Sequence, residues 1–113
     1  MLTIYHNPRC SKSRECNTYL STLAEKVQVI NYMETPFTKE QLKQVLQKLG
    51  ISPIELVRTN EAIWKSEYKG KELSHSEIIT AMLKHPRLIQ RPIVVKGDKA
   101  VVARPLETVT SIL

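Results

Sequence analysis

No apolar stretch in the chain approaches the roughly 18 residues that a membrane-spanning helix requires, because charged or polar residues interrupt every one of them. Nor is there a basic-then-apolar opening segment with a cleavage site, so a soluble, untargeted protein of the cytoplasm with no membrane partner is expected. Cysteine is scarce. The two that occur could pair in a secreted protein, but without a signal peptide they are expected where thiols stay reduced. They stand apart, and no tight histidine or carboxylate spacing accompanies them, which excludes a zinc site and leaves no metal or bound cofactor to expect. The net charge of +6 never gathers into a run of three Lys or Arg residues. Nucleic acid is therefore not an expected partner, whereas a small oxyanion needs only a few converging charges. Repeats, low-complexity tracts and linkers are also missing. The 113 residues suffice for one hydrophobic core and not for two, so a single globular domain spanning 1–113, acting as a monomer, is expected.

The elements follow from periodicity. Leu2-Thr3-Ile4-Tyr5 alternates apolar and polar residues before the turn signal Asn7-Pro8 and predicts a strand ending at a loop. From Ser11 the pattern turns helical, with Cys16, Tyr19, Leu20 and Leu23 on one face, and Val27–Tyr32 predicts a second strand parallel to the first. After Pro36, Thr38 and Gln41 resemble a capping box opening a helix that runs to Leu49 and stops at Gly50. A short helical start near Pro53, a weak helix over Glu61 to Tyr68 and a helix capped by Ser74 and running to Lys84 follow. Ile93-Val94-Val95 and Ala100–Ala103, joined through Lys96-Gly97-Asp98-Lys99, predict a hairpin, and Pro105 suits the first position of a final helix. A βαβ unit and a ββα unit around one mixed sheet make the layout of thioredoxin-like α/β folds, with a helical insertion over about 38–89.

The densest chemistry lies in His6-Asn7-Pro8-Arg9-Cys10-Ser11-Lys12-Ser13-Arg14, which runs from a strand end into the first turn of a helix. Unpaired N–H groups at a helix N-terminus lower a thiol's pKa and bind anions at the same place. Cys10 sits at that junction. Lys12 and Arg14 add positive charge, and the Ser11 and Ser13 hydroxyls can donate to a thiolate or to ligand oxygens. Cys16 belongs instead to the apolar stripe. Six residues of helix separate it from Cys10 by about 9 Å, and a disulfide needs Cα atoms within roughly 7 Å, so it cannot resolve Cys10 while the helix stays wound. Arg58, Arg91 and Arg104 each abut the end of a predicted element, and several converging guanidinium groups could hold a dianion, although spacing alone also fits three solvated arginines.

Two thiol chemistries lack a required group. A cysteine phosphatase loop wants C-x5-R, but Cys16 occupies the sixth position after Cys10; a dithiol oxidoreductase wants C-x-x-C, but Ser13 stands there. The remaining motifs, taken in order, are Tyr5–Cys10 with Ser13-Arg14, then Arg58, then Arg91-Pro92-Ile93-Val94-Val95, then Arg104-Pro105. This series resembles the glutaredoxin-coupled, glutathione-dependent arsenate reductases across nearly the whole chain. The resemblance implies that Cys10 attacks arsenate, that His6 and Ser13 tune the thiolate, and that Arg58, Arg91 and Arg104 hold the oxyanion. It further implies a cis bond at Pro92, with glutathione as co-substrate and glutaredoxin as partner. Arg9 and Ser11 depart from the small residues usual in that loop. Thioredoxin-like regulators that bind RNA polymerase share this architecture but commonly carry the C-x-x-C missing here, and a reductase-like paralogue with another glutathione-linked substrate is a third reading.

Overall fold

The structure, a computed structural model, describes residues 1–113, which gather into two compact units. The first comprises Met1–Thr35 and Arg91–Leu113, the second Pro36–Gln90.

In the first unit, strand β1 (Leu2–His6) lies between β2 (Val27–Asn31) and β3 (Ile93–Lys96), and β4 (Lys99–Val102) completes a mixed sheet of order β2-β1-β3-β4. β1 runs parallel to β2 and antiparallel to β3, which pairs antiparallel with β4. Helix α1 (Ser11–Ser21) makes the crossover between the two parallel strands. This is the thioredoxin-like layout. Strand alternation sends Leu2 and Ile4 to one face, where they are fully buried with Cys16, Leu20, Val94, Ala103 and Val109. Burying each large aliphatic side chain in that cluster contributes about 1.5–3 kcal/mol before chain entropy is charged against it. The same alternation turns His6 inward.

Two details of this unit differ from expectation. The hairpin pairs Lys96 with Lys99, so its loop is only Gly97-Asp98, with Gly97 in the left-handed region at φ 61°. The closing helix, Leu106–Ile112, is of the tighter 3-10 type, and Pro105 caps it rather than occupying its first position. The Arg91–Pro92 and Arg104–Pro105 peptide bonds are both cis.

The second unit is helical: a 3-10 turn over Pro53–Leu56, and helices α2 (Lys39–Leu49), α3 (Ala62–Glu67) and α4 (His75–Lys84). Reciprocal capping boxes open α2 at Thr38 and Gln41 and α4 at Ser74 and Glu77, satisfying N–H groups that the helix itself leaves unpaired. Gly50, at φ 68°, ends α2 in a conformation that a side chain would strain. Leu42, Val45 and Leu46 of α2 and Ile78, Ile79, Ala81 and Met82 of α4 are buried. No helix is long and apolar enough to cross a membrane.

Candidate active site

Between β1 and α1 the chain reverses through Asn7-Pro8-Arg9-Cys10. The Cys10 N–H donates to the Asn7 carbonyl at 3.0 Å, closing a β-turn with proline at its second position, where a fixed φ costs nothing. The Asn7 side chain reinforces it by accepting from the Arg9 N–H at 3.0 Å. Arg14, one turn into the helix, donates from Nη1 to the Pro8 carbonyl at 2.9 Å and staples the loop from outside.

Inside, Ser13 takes over. It heads the buried stripe Ser13, Cys16, Leu20 of α1, and its side chain is wholly inaccessible. Its Oγ accepts the Asn7 N–H at 2.9 Å and lies 2.6 Å from Nδ1 of His6. Burial lowers the His6 pKa and the nearby Arg14 charge lowers it further, while hydrogen bonding at Ser13 pushes the other way without prevailing. His6 is therefore a neutral anchor of the loop, not an imidazolium beside the thiolate.

Cys10 occupies the N-cap of α1 in extended conformation, at the end of the helix where N–H groups lack intrahelical partners. Burial, which leaves it 8% exposed, opposes ionisation. The Ser13 N–H, the Arg91 charge and hydrogen bond, and the Lys12 N–H together outweigh that cost, so the thiol pKa falls below its ordinary value. Arg91 reaches the sulfur because of sheet register: β3 pairs Ile93 with Tyr5, which carries the residue two positions earlier towards the loop at the end of β1. Its Nε and Nη1 are buried and have no hydrogen-bond partner. Buried guanidinium donors without an acceptor are costly, and an anion lying against them would remove that cost.

The other residues singled out by sequence are placed as follows. Ser11 is exposed, and the serine contact at the sulfur is the Ser13 N–H rather than either hydroxyl. Lys12 pairs with Glu15 at 3.7 Å on the surface of α1, so the side-chain charge acting on Cys10 is that of Arg91. Arg104 is exposed and lines a cavity of about 200 Å³ with Lys12, Glu15, Ala103, Pro105, Leu106 and Glu107. Arg58 belongs to the second unit, where its Nη1 lies 3.5 Å from Glu61 and donates to the Arg87 carbonyl at 3.2 Å. Cys16 is fully buried, and burial pushes its thiol up to about 11. Two features escaped sequence reading: the double role of Asn7, for which the Asn-Pro turn was the available signal, and the second cis bond, which the repeated Arg-Pro pair could have suggested.

A mixed sheet of this order, with one acidified thiol at the head of the first helix and a cis-proline leading into the third strand, defines a thioredoxin-like protein. The ArsC family model matches residues 5–112. The arsenate reductase of Haemophilus influenzae is 39% identical over 112 residues, covering 97% of each chain, and the uncharacterized protein YfgD of Escherichia coli is 42% identical over 97% of this chain and 94% of its own. The solved structure of an arsenate reductase from Vibrio cholerae superposes with a TM-score of 0.93 at 42% identity, over 99% of this chain and 97% of that one. The chain belongs to the ArsC family.

Proposed function

We propose that the protein reduces arsenate to arsenite through a covalent adduct on Cys10, with glutathione and glutaredoxin supplying the electrons. One observation carries this reading: an acidified sulfur shares its surroundings with two buried, partnerless donors of Arg91. A tetrahedral oxyanion that satisfied those donors would present its central atom to the nucleophile, which is the arrangement that electrostatic and covalent catalysis both need. The names of the Haemophilus and Vibrio relatives support arsenate as that anion.

In the first step the Cys10 thiolate attacks arsenic, forming an S–As bond while an As–O bond breaks and its oxygen leaves, protonated, as water. Arg91 neutralises the charge gathered on the remaining oxygens; Arg58 and Arg104 are assigned further binding of the anion by family resemblance. A glutathione thiolate then attacks the Cys10 sulfur. An S–S bond forms, the S–As bond breaks, and its electron pair stays on arsenic, which falls from As(V) to As(III) and departs as arsenite. The two sulfurs have each given one electron. A glutaredoxin thiolate finally takes the glutathionyl group and frees Cys10. The external thiol is needed because Cys16 lies in the core with its proton held tightly. No cofactor need be bound, and the chemistry belongs in a reducing compartment such as the cytoplasm.

Purified protein with arsenate, glutathione and glutaredoxin should generate arsenite, and omission of either reductant should stop it. Cys10→Ser should abolish turnover. Arsenite production by that variant, or steady phosphate release from an aryl phosphate ester by the wild type, would overturn the reading.

A further inference from the structure

A second cavity, of about 270 Å³, opens beside the Cys10 loop and is lined by Asn7, Pro8, Arg9, Asn31, Met33 and Glu34. Its two walls are held together by the sheet, since His6 pairs with Asn31 where β1 and β2 run side by side. One wall is the turn just described. The other is a tight turn after β2, in which the Asn31 carbonyl accepts from the N–H groups of Glu34 and Thr35 at 3.1 and 2.8 Å, and the Asn31 side chain accepts from Met33 at 3.0 Å.

Arg9 and Glu34 thus bring a cation and an anion to the same cavity, and both are exposed. They do not pair with each other, and neither takes part in any salt bridge of the structure. The cavity beyond the first turn of α1 also holds opposite charges, Arg104 and Glu107 besides the engaged Lys12–Glu15 pair, but none of its residues adjoins Cys10 in the chain. Two unpaired opposite charges around a hollow of this size, which lies near the lower end for small-molecule sites, suit a small zwitterion. Arg9 is the direct neighbour of Cys10. In an extended tripeptide, at about 3.5 Å per residue, the terminal charges lie within roughly 10 Å of a central thiol.

We infer that this cavity seats the thiol reductant, a cysteine-containing peptide bearing both a carboxylate and an ammonium group, with Arg9 holding the carboxylate and Glu34 the ammonium, so that its sulfur is delivered to Cys10. The inference rests on the function proposed above and names its co-substrate subsite.

S-Methylglutathione, which cannot react, separates binding from turnover. Titrated into isotope-labelled protein, it should perturb the amide signals of Arg9, Asn31, Met33 and Glu34. Arg9→Ala and Glu34→Ala should each weaken its binding about three- to fivefold, and Arg9→Glu about tenfold. In arsenate turnover the same variants should raise the glutathione KM by similar factors, leave the arsenate KM unchanged, and leave rates with the uncharged thiol 2-mercaptoethanol unaltered. Binding that perturbs other residues, or that ignores all three substitutions, overturns the inference. Binding at these residues in a protein that never reduces arsenate retains the subsite and instead refutes the proposed function.

Discussion

The Ser13 hydroxyl oxygen lies 2.6 Å from Nδ1 of His6, at the point where the inner face of β1 meets the buried stripe of α1. Strand and helix each carry one polar residue into an otherwise apolar interior, and the two side chains satisfy each other there. Asn7 joins them through its N–H at 2.9 Å, so on its inner side the turn that leads to Cys10 is tied to the Ser13 hydroxyl.

Ser13→Ala removes that hydroxyl and leaves the Asn7 N–H and the His6 ring nitrogen buried without partners. A loss of about 1–3 kcal/mol is expected in urea unfolding. The Ser13 N–H, which lowers the Cys10 pKa, survives the change, so Cys10 should remain more acidic than a free thiol in an alkylation series against pH.

The wild-type alkylation midpoint for Cys10 should fall below the roughly 8.5 of a free thiol. In Arg91→Ala the sulfur loses a charge and a hydrogen bond while its burial persists, and the midpoint should climb back towards or past that value. Arg91→Lys should fall between the two. A midpoint indifferent to position 91 would remove Arg91 from the account of the nucleophile.

Arsenate binding gives an independent reading of the same side chain. A hydrogen bond to a charged ligand contributes about 1.5–3 kcal/mol, so Arg91→Ala should raise the arsenate KM by roughly tenfold or more. Arg104→Ala and Arg58→Ala should raise it less, with little change in melting temperature for the exposed Arg104. Wild-type arsenate kinetics in all three variants would leave the anion without its proposed ligands.

His6 makes stability depend on pH in a definite direction. Its folded pKa is depressed, whereas in the unfolded chain the ring protonates near the ordinary 6.5. Below that pH the unfolded state binds more protons, so the stability drawn from a neutral His6 diminishes as pH falls through 6.5 and continues to diminish until the folded ring also protonates. Urea midpoints measured between pH 7.5 and 5 should fall, and replacement of His6 by Gln should flatten that slope.

Much of this was written locally. The alternation of Leu2 and Ile4, the capping box of Thr38 and Gln41, the Ser74 cap and the stop at Gly50 are short-range signals, and each appears in the structure where the sequence predicts it. The place of Cys10 at the head of a helix is equally local. The partner of its sulfur is not: Arg91 arrives through the pairing of Ile93 with Tyr5, a register set by the whole sheet. Counting nearby cations therefore favoured Lys12 and Arg14, which engage Glu15 and the Pro8 carbonyl instead. The closing helix misled for a related reason, since Pro105 reads as a helix opener but follows a cis bond and stands one residue outside the 3-10 turn.

The depth of Cys16 has an outcome beyond packing. With its sulfur sealed among Leu2, Ile4, Leu20 and Val94, the chain carries no second thiol able to answer the first. On the proposed mechanism an oxidised Cys10 would stay oxidised until thiols diffused in to reset it, so each cycle would draw on the surroundings. The protein's pace would then be coupled to the abundance of thiols in solution, and a starved pool would park it in the spent form.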